Sequence, residues 1–233
     1  MSTFAGPSIV IPSSGLILDV DAANTKSYPG NGTIWYDLSG NNNNGTLQNN
    51  PTFNADKTFS FDGLTQYVLF GTYNSMTAVD NKAVTIDIWT NFNFANSPGA
   101  LTSRGFLGFY TSNSDNLSIK ATSTVFGDAV DSTGARVITQ MSSYVQSDFY
   151  DKWCNFTLTY GNRITSMYYN GIFQVSNPSA NDVTFQDNVF DIGYGDGYYR
   201  FYGKMSAVKI YNRALSSDEV VQNFNAYRGR YGL

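Results

Sequence analysis

Only one stretch of this chain reads as a convincing helix, and it lies near the carboxyl end at residues 216–228. Ser216 stands where an N-cap belongs, and Glu219 follows three residues later. Each side chain can therefore serve the other's backbone amide. Leu215 precedes the cap and can staple onto Val220. Val220, Phe224 and Tyr227 share one face at helical spacing. The preceding residues, 201–212, predict a strand of mixed phase. Phe201, Gly203 and Met205 alternate in one register, Val208 and Ile210 in the other. A one-residue bulge near Ser206 and Ala207 would set Met205, Val208 and Ile210 on one core face. A strand closed by a capped helix acts as a carboxyl-terminal lock, and the remaining sheet must be built to receive it.

The remaining sequence favours short strands. The 25 Asn, 17 Asp and 21 Gly are turn formers, and strong helix formers are scarce. Aromatics make up 16% of the chain, enough apolar surface for one sizeable core. With 233 residues, no composition break and no internal repeat, the sequence suits one all-β domain over 15–233, preceded by an arm over 1–14. The net charge of −4 argues against a nucleic-acid partner, since no basic patch is present to release phosphate counterions. No apolar run is long enough for a membrane span. No basic residue precedes Lys26 and the apolar run 9–11 is short, so synthesis in a cytoplasm is expected.

In the arm, Pro7 and Pro12 flank Ile9, Val10 and Ile11. This segment is either a first edge strand of the domain's own sheet or a docking peptide for a partner. Residues 15–21 alternate as a strand. In the loop that follows, Trp35, Tyr36 and Leu38 are expected to tuck beneath it. The asparagine run 41–44 is either a polar ligand loop or a tight turn. Residues 58–62 and 66–70 predict a hairpin around Asp62, whose carboxylate should accept loop amides. Residues 83–94 place Val84, Ile86, Ile88, Phe92 and Phe94 on one side and Asp87, Trp89, Asn91 and Asn93 on the other. That polar face suits a sugar, with Trp89 stacking and Asp87 and Asn91 hydrogen-bonding. Alternatively, Trp89 packs against the second sheet or a covering loop. Further strands are expected at 104–111, 116–121 and 135–141. Asn170-Gly171 inside an alternating run predicts a two-residue type I′ hairpin. The Gly/Tyr loop 194–199 offers Tyr198 and Tyr199 either as a rigid binding surface or as cover for the sheet end.

Nucleophilic chemistry finds little support. The chain contains no histidine, and Cys154 is in phase with Phe156, Leu158 and Tyr160, as a buried apolar residue would be. Glu219 is the only glutamate, and its place in the cap explains it.

Four segments in order, GLILDVDAANTKSYPGNGTIWYDLSGNNNNGTL, FSFDGLTQYVLF, MYYNGIFQV and FYGKMSAVKIYNRALSSDEV, resemble the laminin-G-like, concanavalin A-like jelly-roll superfamily. The opening GPSIV followed by GLILDVDAAN resembles domains of virion structural proteins of large tailed phages. The resemblance implies a two-sheet antiparallel jelly-roll sandwich with adjacent terminal strands and one short C-terminal helix. It also implies non-enzymatic work: decoration of a particle surface, or carbohydrate or protein binding. A major capsid or other virion protein would be the partner, reached through Ile9, Val10 and Ile11, and a host surface glycan the alternative. The location would be the virion, and by analogy a homo-oligomer is compatible with it. No cofactor is required, although calcium is common among relatives, and Asp19, Asp21 and Asp191 can supply oxygens. Some relatives are glucanases with acidic residues at alternate positions of one strand. Here Asp87 is the only acid on 83–94, so hydrolysis is not expected.

Overall fold

The computed structural model describes residues 10–72, 83–97, 104–111, 114–183, 189–193 and 200–233. In chain order the strands are β1 (Leu16–Asp21), β2 (Ile34–Trp35), β3 (Gly45–Gln48), β4 (Thr52–Phe53), β5 (Phe59–Asp62) and β6 (Tyr67–Thr72). Then follow β7 (Val84–Phe92), β8 (Arg104–Thr111), β9 (Ser114–Ala121), β10 (Val125–Val130) and β11 (Arg136–Gln140). The last are β12 (Trp153–Gly161), β13 (Ile164–Tyr169), β14 (Ile172–Pro178), β15 (Val189–Ile192) and β16 (Tyr202–Tyr211), and helix α1 covers Ser217–Tyr227. They form two antiparallel sheets. The first runs β14-β13-β12-β7-β16-β5-β4, with β1 also on β16; the second runs β11-β10-β9-β8-β15-β6-β3-β2.

The expected bulge organises the first sheet. Along β7, the register of β16 shifts between Met205 and Ala207. Met205, Val208 and Ile210 all face the core. One edge of β16 is shared: Tyr202 to Met205 pair with β5, and Ala207 to Tyr211 pair with β1. The carbonyl of the bulged Ser206 accepts from Ala22 N–H at 2.8 Å, so the extra residue keeps a partner.

Between the sheets lies an aromatic core. Phe92 meets Phe106 at 5.0 Å between ring centroids, Phe106 meets Phe156 at 5.8 Å, and Phe109 meets Phe190 at 4.8 Å. Truncating one such ring to alanine costs about 3–5 kcal/mol. Cys154 belongs to this core, and burial pushes its thiol up to about 11. Trp35 is buried against Phe59 and Leu38 is half-buried, whereas Tyr36 is exposed, so the expected tuck fails for the tyrosine. The asparagine run is a tight loop: Asn41 and Asn43 donate to the carbonyls of Leu16 and Ile17, and Asn42 has φ 62°.

The turns follow their chemistry. Asn170 and Gly171 have φ 49° and 75°, the type I′ pattern, between paired Tyr169 and Ile172. Residues 58–70 are not the expected hairpin. β5 belongs to the first sheet and β6 to the second, so the segment is a corner between layers. Asp62 still acts as read, accepting from the amides of Leu64, Thr65 and Gln66 at 2.8–3.1 Å. Partial burial raises its carboxyl, but these amides and the Thr65 hydroxyl outweigh that and hold it below the usual range.

Helix α1 carries the full capping box. Glu219 N–H donates to Ser216 Oγ at 3.3 Å, and Ser216 N–H donates to Glu219 Oε2 at 2.9 Å. Arg213 adds a fork onto the same carboxylate at 2.7 and 2.6 Å. Leu215, Val220, Tyr168 and Tyr211 form a second apolar cluster beneath the helix. The Arg213 fork and the cap hold Glu219 down at about 2, below its unfolded value of 4.5. A lowered carboxyl stabilises above its unfolded pKa and stops doing so as pH falls through its folded one. Glu219→Gln is therefore expected to lower the melting temperature at pH 7, with the deficit closing between about pH 4.5 and about pH 2. Thermal melts of both proteins across that window check it.

Candidate functional site

The outer face of the first sheet carries the polar residues that the alternation of β7 points outward. Cross-strand pairing sets Asp19, Lys209, Asp87 and Thr157 in one row over β1, β16, β7 and β12. Asp21, Ala207, Trp89 and Asn155 form the next row. Helix α1 and the 3-10 turn Arg228–Tyr231 lie over both rows. Trp89 is 0% exposed, stacked on Phe224 at 5.6 Å and on Tyr231 at 4.3 Å. The tryptophan chosen as a sugar platform is thus covered by the C-terminal lock, because alternation fixes a side chain's face but not what lies over it.

Asp87 is buried too, accepting from Thr157 Oγ1 at 2.7 Å and Asn155 Nδ2 at 3.1 Å. Lys209, 1% exposed, lies between the two acids. It reaches Asp19 at 3.4 Å and sits 3.7 Å from the Tyr227 ring centroid. Burial pushes both carboxyls up. Burial also opposes the lysine's charge, but Asp19, Tyr227 and Asp87 together outweigh it and raise its pKa. Arg230 closes the row below with a bidentate pair onto Asp21 at 2.8 and 2.8 Å. Asp19 and Asp87 lie two strands apart, about 9.6 Å at ordinary spacing, at the upper limit for an inverting glycosidase pair. They are sealed beneath a helix with a lysine between them, and no glycosidic bond can enter. On the second sheet, Asp128 and Asp191 share a row three strands apart, about 14 Å, too far for such a pair. Lys120 and Arg136 both bond Asp128.

The open part of this face lies past the 3-10 turn. There a cleft of about 250 Å³ is lined by Ser60, Asn91, Asn93, Asn96, Asp151, Tyr202 and Lys204, over a floor that includes Phe92 and Gly203. Gly203 has φ 149°, and a Cβ there would come within 2.5 Å of the Asn91 carbonyl, so only glycine fits the floor. Asn93 Nδ2 orients the Asp151 carboxylate at 2.6 Å. Lys204 pairs with Asp56 at 2.8 Å. The side chains of Asn91, Asn96 and Tyr202 make no hydrogen bond among the described residues. The cleft therefore offers unused donors and acceptors beside an oriented carboxylate, as hydroxyl-rich ligands require.

Of the residues expected to bind glycan, Asn91 lines this cleft. Asp87 and Trp89 lie under the helix, and Tyr198 and Tyr199 are outside the described residues. The calcium set does not assemble. Asp19 and Asp21 sit on the first sheet facing Lys209 and Arg230, while Asp191 is on the second. Among the described residues no group of three metal-ligating side chains forms. In the arm, Val10 is 63% exposed and its carbonyl accepts from Gln222 of α1; Ile11 is half-buried and Ile9 is outside the described residues. The edge-strand alternative fails for residues 10–14, which form no strand. Asp151 and Lys209 were legible as charges on or next to strands, but only their neighbours in space give them a role.

Two packed antiparallel sheets, with β1 beside β16, define a jelly-roll domain. Residues 61–221 match Laminin_G_3 of the concanavalin A-like lectin/glucanases superfamily, and the chain belongs to that family. No curated protein matches the chain. The receptor binding domain of botulinum neurotoxin C/D mosaic serotype is similar in structure, with TM-score 0.69 and 14% identity over 92% of this chain and 52% of that one. The binding domain of botulinum neurotoxin DC in complex with SialylT gives TM-score 0.69 at 14% identity, covering 92% and 52%. The binding domain of Paraclostridial Mosquitocidal Protein 1 gives 0.66 at 17% identity, covering 91% and 52%. This chain thus spans about half the length of these solved chains, and the likeness is one of fold.

Removing the lysine tests the sealed rows. Lys209→Met leaves two buried carboxylates without their cation and is expected to cost about 3–5 kcal/mol at neutral pH. The deficit narrows as pH falls through the raised Asp19 and Asp87 values, because both acids then take protons. Urea unfolding at several pH values measures it.

Proposed function

We propose that this chain is a non-catalytic recognition domain that binds a glycan in the cleft between β5, β16 and β7. The observation that carries this reading is the convergence of the unused Asn91 and Asn96 amides and the Tyr202 hydroxyl on an oriented Asp151 carboxylate. Membership in a lectin/glucanase superfamily supports it, as does a solved structure of similar fold in complex with SialylT. Catalysis is disfavoured: the facing acids of the first sheet are sealed by α1, and the cleft holds a single carboxylate. The volume of about 250 Å³ lies just below the usual range for ligand sites and suits about one sugar ring.

The setting we propose is a phage particle surface, which the opening segment suggests. The arm with Ile9, Val10 and Ile11 would then hold the domain on a capsid or other virion protein, leaving the cleft outward. A glycan array on the purified chain tests the recognition reading. Saturable binding is expected, and Asn91→Ala or Tyr202→Phe should weaken it about tenfold or more while leaving the melting temperature close to wild type, since the Asn91 side chain makes no hydrogen bond among the described residues and phenylalanine keeps the ring that packs against the core. Failure to bind any glycan sinks the reading.

A further inference from the structure

The register extends the cleft in one direction. Ser60, Lys204, Asn91 and Trp153 lie side by side on β5, β16, β7 and β12. Cross-strand partners share a face, and at a strand spacing of about 4.8 Å this row runs roughly 14 Å. The first three residues line the cleft, and Trp153 continues the row beyond it. Its ring packs on Tyr231 at 4.6 Å, and Tyr231 in turn stacks on Trp89. The indole is therefore braced from one side and only half-buried. The other two tryptophans, Trp35 and Trp89, are both 0% exposed. Trp153 is the tryptophan a ligand can touch.

Charge limits what can lie along this row. Lys204 is paired with Asp56, and the Asp151 carboxylate beside the cleft is held by the uncharged Asn93 amide. No other cation lines the cleft among the described residues. A carboxylated or sulfated sugar would meet the Asp151 carboxylate there, while the one lining cation, Lys204, is already paired, and like charges at an interface repel.

We propose that the site takes a short, linear, uncharged oligosaccharide laid across β16, β7 and β12, with one ring held by Asn91 and Asp151 and the next stacked on Trp153. Acidic sugars are turned away. This deepens the glycan-binding reading and rests on it.

The test begins with an array of neutral, sialylated and sulfated glycans. The best neutral ligand and its shorter homologues are then titrated against tryptophan fluorescence. Neutral glycans are expected to bind and acidic ones to be excluded. The trisaccharide should shift the emission and bind about tenfold more tightly than the monosaccharide, the scale of one aromatic stacking contact. Trp153→Ala should remove that chain-length gain, and Trp153→Phe, which keeps a ring, should restore most of it. Asp151→Asn should admit sialylated glycans. Binding confined to acidic glycans overturns this inference and leaves the glycan reading standing. So does equal affinity for one ring and three, or a Trp153→Phe protein that folds normally and binds no better than Trp153→Ala. Absence of all glycan binding overturns both.

Discussion

The extra residue at Ser206 sets both faces of β16. Without it, Met205 and Val208 would point to opposite sides, and the strand could not fill the core along its length. With it, Met205, Val208 and Ile210 close the sandwich, while Lys204, Ala207, Lys209 and Tyr211 face outward. The same bulge hands one edge of β16 from β5 to β1. Two stretches far apart in sequence thereby meet on one strand, and the outer face divides into a covered half and an open half.

The covered half is organised by charge as much as by apolar contact. Lys209 between two acids, Arg230 on Asp21 and the Tyr227 ring over the lysine fix where α1 and its trailing turn lie. Buried ion pairs of this kind contribute less to stability than to uniqueness of arrangement, because desolvation offsets most of the attraction. Here the arrangement matters at the boundary. Tyr231 bridges Trp89 inside the cover and Trp153 outside it. The position of the last turn therefore sets how much aromatic surface the open cleft can use.

Sequence alone reached the parts of this architecture that local chemistry decides. The capping box, the bulge and the Asn170-Gly171 turn each depend on a few neighbouring residues. Asn162 and Arg163 make a second left-handed two-residue turn, with φ 51° and 62°, but arginine carries no turn signal and the pair passed unread. The sequence shows Asp62 as an amide acceptor but places it at the centre of a hairpin that does not form. Its bonds are the same in a corner, and nothing local says which sheet the next strand will join. Trp89 and Asp87 were assigned to the right face, but the sequence did not show that the lock would cover them. The residues that instead form the cleft, Asp151, Asn93, Tyr202 and Lys204, come from separate segments, and only strand order brings them together.

Pairing between segments far apart in sequence also bears on how the fold is reached. Asp21 and Arg230, bonded across 209 positions, can meet only once every residue between them has been made. Topologies with such distant partners assemble slowly. During synthesis β7 waits with one edge unpaired until β16 emerges, and an unpaired edge is a template for other strands. The strand that this fold makes latest, β16, is therefore also the one that covers the open edge of β7.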